Sequence, residues 1–112
     1  MIHGVSPVDR TGRIAAKPIL SALEWKPGTL LAFQVRDGII TVDRCDADGR
    51  RIYLDGHLRI PAEILRAADC RAGNRLLLTA HILEKSLTIC PQHLLDIMVA
   101  HQLSNRGTGG AP

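Results

Sequence analysis

Two stretches of this chain carry the same signals in the same order, and that repetition limits the fold more than any other feature. In the first half, Gly12-Arg13-Ile14 leads through Pro18-Ile19-Leu20-Ser21-Ala22-Leu23 and Lys26-Pro27-Gly28 to the apolar runs Leu30-Leu31-Ala32-Phe33 and Ile39-Ile40-Thr41-Val42. In the second half, Gly56-His57-Leu58-Arg59-Ile60-Pro61 leads through Ala62 to Ala68 and Arg71-Ala72-Gly73 to Arg75-Leu76-Leu77-Leu78 and Leu87-Thr88-Ile89. Gly28 follows Gly12 by sixteen positions and Gly73 follows Gly56 by seventeen, which requires a one-residue difference near the helix start.

Each copy reads as a strand, a sharp turn at glycine, a second strand, a short helix and a hairpin. The opening strands are Ser6 to Arg10 and Arg51 to Leu54. Pro18 and Pro61 sit where proline is tolerated, at or just before a first helical turn. Arg36-Asp37-Gly38 marks a tight hairpin, because Asp-Gly readily supplies positive φ angles. The second hairpin, around His81 to Ser86, is longer and has no glycine. About forty residues cannot bury their own apolar faces, so the copies, 5–45 and 50–91, must complete a single domain over 1–91. The polar run Asp43 to Arg50 links them. Beyond Pro91, an amphipathic helix is expected over 92–106, with Leu94, Leu95, Met98 and Leu103 near one side, and a disordered tail over 107–112.

Composition removes several functional classes. Fourteen Lys and Arg against eleven Asp and Glu give a net charge of +3, which admits a nucleic-acid partner without the charge density of a sequence-blind coating protein. Eleven of those cations are arginine, whose planar fork suits phosphates and guanine edges. Cys45, Cys70 and Cys90 are odd in number and widely spaced, against both a disulfide framework and a structural zinc site. The Asp46-Ala47-Asp48-Gly49 run lacks the distal glutamate of a calcium loop. His3, His57, His81, His93 and His101 are scattered, with no nucleophile elbow or telling carboxylate pair, so no catalytic residue, metal or cofactor is expected. No signal peptide and no run long enough to span a bilayer is evident, so the expectation is a cytoplasmic protein with no membrane partner.

A strand leading to Gly12-Arg13-Ile14, a proline-led helix and Lys26-Pro27-Gly28 before a hairpin, echoed in the same order by Gly56-His57-Leu58, Pro61 and Arg71-Ala72-Gly73, resemble the AbrB/MazE/SpoVT swapped-hairpin domain over residues 5 to 91. The resemblance implies a mainly β fold with short helices: a swapped-hairpin β-barrel in which two units interleave, here an intrachain pseudo-dimer with a C-terminal helix added. It also implies non-enzymatic transcription regulators and antitoxins that contact double-stranded DNA through basic residues of the first hairpin and helix. Residue by residue, the arginine after the turn glycine corresponds to Arg13 in the first copy and to His57 in the second. The basic residue early in the first strand corresponds to Arg50 in the second copy and to Ser6 in the first. Of the two adjacent helix arginines, which fall at Leu65 and Arg66, only Arg66 is present, and the first copy offers Leu20 and Ser21. Arg10 and Arg59 lie on or beside the same hairpins and are further candidates for phosphate contacts. Such uneven retention fits an asymmetric DNA site better than a palindrome.

The function expected is therefore DNA-binding transcription regulation, with Arg13, Arg50, Arg66, His57, Arg10 and Arg59 as contacts. The alternative is a protein-binding module or antitoxin. There the C-terminal helix would supply the surface for a homodimer or a cognate toxin, although the segment after Pro91 is short for a toxin-masking arm.

Overall fold

The computed structural model describes residues 1–46, 49–51 and 57–109. The first half contains β1 (Ile2–Pro7), β2 (Arg13–Ala15), α1 (Lys17–Ala22), β3 (Leu30–Arg36) and β4 (Ile39–Arg44). The second half repeats the series with β5 (Arg50–Arg51), β6 (His57–Arg59), α2 (Ala62–Ala67), β7 (Arg75–His81) and β8 (Ser86–Pro91), and α3 (Gln92–Gly109) follows. The expected second opening strand, Arg51 to Leu54, begins in β5, and Ile52, Tyr53, Leu54 and the turn glycine Gly56 lie outside the described residues. The same holds for Ala47 and Asp48 of the linker.

Among the described residues, only the hairpin strands pair within each half, β3 with β4 and β7 with β8, and all the other ladders cross between the halves. One sheet has the order β1-β7-β8-β4-β3-β5, and a separate ribbon is formed by β2 and β6. The first strand of each half thus lies on the hairpin of the other, β1 on β7 and β5 on β3. The registers obey a pseudo-twofold axis: Ser6 pairs with Leu76, and their counterparts Arg50 and Leu31 pair in the same way. At the centre, Ile40 faces Ile89 and Val42 faces Leu87. All four of these side chains are completely buried.

Alternation of apolar and polar residues fixes this register, because a one-residue slip would turn every core side chain outward. On β7 and β8, Leu76, Leu78, Ala80, Leu87 and Ile89 point inward. From the ribbon, Ile14 and Leu58 pair directly and are buried, while Arg13, Ala15 and Arg59 remain on the outer face. Ile19, Leu20, Leu23 and Trp25 of the first half join Ile60 and Ala68 of the second in the same apolar cluster. One interior therefore serves both halves.

The expectation of a closed barrel is corrected. Among the described residues the sheet is open, with β1 and β5 as its two edges. The reason lies in the ribbon: β2 and β6 form their ladder with each other, so neither bridges β1 to β5. What holds is a mainly β fold, with three helices among the described residues.

Local geometry explains how one short sequence pattern builds each half. Both two-turn helices end in the same way, with a residue in the left-handed region that is not glycine, Glu24 (φ 61°) and Asp69 (φ 55°). The Trp25 N–H reaches back to the Leu20 carbonyl and the Cys70 N–H to the Leu65 carbonyl, so the last helical carbonyls are satisfied as in a Schellman cap. Burial of Trp25 and Cys70 holds the chain in that conformation. Gly28 and Gly73 then take φ 90° in turns closed by Thr29 to Lys26 and Asn74 to Arg71 bonds. The one-residue difference between the copies falls between strand and helix, where Ala16 alone separates β2 from α1 while Ile60 and Pro61 separate β6 from α2. Asp37 (φ 55°) and Gly38 (φ 80°) form the tight turn expected from the sequence.

The helix α3 runs to Gly109, past the expected end at 106, so residues 107 to 109 of the expected tail are helical. Its first turn packs against the sheet and the β3–β4 turn, where Leu94 approaches Gly38 and Leu95 shares the walls of a shallow pocket with Val5 and Leu77. Farther along, Ile97, Met98, Val99 and Leu103 are exposed. No helix among the described residues is long and apolar enough to cross a membrane.

A shared interior predicts a single unfolding event. Ile40→Ala and Ile89→Ala, one in each half, should each lower the stability by about 2–5 kcal/mol and move the same denaturant transition. Two separable transitions in circular dichroism would contradict a common core.

Candidate nucleic-acid interface

The ribbon β2–β6 and the turn leading into β2 bring together most of the cations singled out by the sequence. The turn at Asp9 to Arg13 is organised by one carboxylate. Asp9 Oδ1 accepts from the Thr11 N–H (2.8 Å), the Thr11 hydroxyl (2.8 Å) and the Arg13 N–H (2.9 Å), and Oδ2 accepts from Arg13 Nε at 3.2 Å. These donors, the Arg13 backbone N–H foremost, hold the Asp9 carboxyl far below the usual carboxylate range.

The second half clamps the same turn. The Ile60 N–H donates to the Gly12 carbonyl at 2.8 Å, and Arg59 Nε donates to the Thr11 carbonyl at 3.1 Å. Gly12 sits at φ 83°, and a Cβ there would stand 2.7 Å from the Ile60 carbonyl oxygen. Only glycine lets the first-half turn approach the second-half backbone this closely. The expected DNA-contacting turn is therefore built by both halves together.

Beside the turn lies a cleft of about 560 Å³ whose walls include Arg10, Thr11, Arg50, Arg59, Pro61 and Glu63. Arg50 reaches Glu63 at 3.0 Å, an ion pair whose side chains are 64% and 58% exposed and which is correspondingly weak. The Glu63 carboxyl is held below its ordinary value, first by its own backbone N–H and then by the Arg50 and Arg66 guanidiniums, with partial desolvation opposing.

Of the six residues expected from the sequence, Arg10, Arg50 and Arg59 meet at this cleft. Arg13 stands next to it as the direct cross-strand partner of Arg59. Arg66 is exposed on α2, one turn beyond Glu63, and does not line the cleft. His57 is set apart, half-buried, facing Ala15 at the opposite end of the ribbon.

Sequence reasoning missed Asp9, Thr11 and Glu63. The Asp-Arg-Thr-Gly run at 9–12 carries an Asx-turn signature that would have revealed the first two. Glu63 becomes relevant only once β5 lies against β3, since it meets Arg50 across thirteen residues.

Elsewhere the described residues offer little chemistry. Burial pushes the Cys70 and Cys90 thiols upward, with Asp69 adding to the effect at Cys70, so both are poor nucleophiles. Among the described residues, no group of three or more His, Cys, Asp or Glu side chains comes close enough to hold a metal ion. Neither protein-family models, nor curated proteins, nor solved structures give a match to this chain.

The Asp9 geometry has a pH signature. A depressed folded-state pKa means that its stabilising contribution is complete above the ordinary carboxylate range and is lost as pH falls below that range. Asp9→Ala should lower stability at neutral pH and flatten the decline on acidification below about pH 4. Thermal unfolding of both proteins from pH 7 to pH 2 checks it, and parallel acid limbs would count against the carboxylate's role.

Proposed function

We propose that this protein binds double-stranded DNA as a transcription regulator of the AbrB/MazE/SpoVT type, with its two halves related as in a swapped-hairpin pseudo-dimer. The observation that carries this reading is the convergence of Arg10, Arg13, Arg50 and Arg59 on the exposed face formed by the ribbon, its preceding turn and β5. The exchange of opening strands between the halves supports the swapped-hairpin relation. Arginine forks on a rigid ribbon suit phosphate oxygens and guanine edges, and the Asp9 network keeps the Arg13 backbone from moving when DNA arrives. Arg66 extends the same surface along α2.

Binding to labelled genomic fragments at two salt concentrations tests the reading. Four phosphate contacts would give a slope of log K against log salt of about −3 to −4. Arg13→Ala or Arg59→Ala should each flatten it by about one. Glu63 opposes the incoming phosphates and occupies Arg50, so Glu63→Gln should raise affinity by about two- to fivefold. Complexes insensitive to salt, or unaffected by these substitutions, would count against DNA binding at this surface.

A second reading, a protein-binding module or antitoxin, is favoured by the exposed Ile97, Met98, Val99 and Leu103 of α3. In that reading α3 docks a second copy of the chain or a toxin. Sedimentation of the full chain against one ending at Pro91 distinguishes self-association from a monomer.

A further inference from the structure

The fold obeys a pseudo-twofold axis, and the charges on it do not. The registers relate residues of the opening strands and ribbon by an offset of 44, since Ser6 with Leu76 matches Arg50 with Leu31. From the helices to β3 and β7 the offset is 45, as the helix starts Lys17 and Ala62 require. Under that relation Arg50 corresponds to Ser6, Arg59 to Ala15 and Arg66 to Ser21, and by sequence alone Arg10 corresponds to Leu54. Arg13 corresponds to His57. Every cation at one end of the ribbon thus has a counterpart without a fixed charge at the other.

Pairing within the ribbon shows the same polarity at close range. Arg13 sits opposite Arg59 at one end, and Ala15 sits opposite His57 at the other. Ser6 cannot replace Arg50 as a contact: it is buried, and its hydroxyl accepts the Ala15 N–H at 3.2 Å. The sole fixed cation gained by the weaker end at these positions is Lys17, at the start of α1, where the second half has Ala62.

We infer that one chain reads DNA with one end only: a single, non-palindromic half-site held by the end carrying Arg10, Arg13, Arg50 and Arg59, which fixes the protein's orientation on the duplex. The inference rests on the DNA-binding reading above. Its physical basis is that two equal half-sites require two equal sets of side chains, whereas phosphate attraction here is concentrated at one end. The symmetric scaffold supplies rigidity, and the second half both contributes Arg50 and Arg59 to the reading end and clamps the first half's turn through the Ile60 N–H and Arg59 Nε.

Selection from a pool of randomised duplexes, followed by hydroxyl-radical footprinting of the 1:1 complex, provides the test. The expected motif has no dyad, and the protected phosphates lie to one side of it. Arg59→Ala and Arg10→Ala should each weaken binding by about tenfold or more, while Lys17→Ala changes it less than about twofold. Restoring the missing charges with Ala15→Arg and Ser21→Arg, both at exposed positions, should tighten binding and extend protection across the pseudo-axis. A dyad-symmetric motif in the wild-type 1:1 complex, or a loss from Lys17→Ala equal to that from Arg59→Ala, overturns the one-ended reading while leaving DNA binding intact. Failure of the wild-type chain to select any duplex at low salt overturns both.

Discussion

The pairing of β4 with β8 places Ile40 against Ile89 and Val42 against Leu87, and neither half owns the interior that results. Everything else in the structure follows from that shared seam. It brings the two hairpins edge to edge, leaves β7 and β3 open to receive the opening strands of the opposite halves, and sets β2 and β6 close enough to pair. Each fully buried Ile or Leu contributes on the order of 1.5–3 kcal/mol. A half standing alone would leave these side chains in water. The exchange of β1 and β5 is thus the way two undersized units obtain one adequate core.

Symmetry inside and asymmetry outside have separate physical causes. Inward positions are constrained in pairs: Ile14 meets Leu58, and Leu31 and Leu76 occupy equivalent sites in the two registers. Changing one leaves a void or an overlap that the other must absorb. Outward positions carry no such obligation. Arg59 and Ala15 can differ because neither side chain enters the core, and charge stands at one end of the ribbon while the ladder stays regular. The function read from the surface is therefore less symmetric than the fold that presents it.

Much of this organisation is legible in the chain. The repeat, its one-residue offset, the Asp-Gly turn and the longer glycine-free hairpin all rest on local chemistry, and the structure has them where that chemistry puts them. Lys85, at φ 54°, fills the left-handed position that glycine would otherwise take in the longer loop. Less visible were features that depend on distant pairing. Asp tolerates the left-handed geometry of Asp69, but Glu24 adopts it against its propensity, with Trp25 buried just beyond it. The open sheet could not be read either, since closure depends on whether β2 and β6 prefer each other to the sheet edges. At the site, the arginines were recognisable by type and place. Their counter-groups Asp9 and Glu63 were not, because acidic residues draw no attention until the cations they restrain are in position.

Carrying both halves on one polypeptide changes how the structure responds to dilution. Two separate subunits sharing a core would come apart as their concentration fell, and their stability would be inseparable from their abundance. Joined through the short segment between β4 and β5, the halves meet at an effective concentration set by tether length. A cell could hold very few molecules and still keep every one assembled.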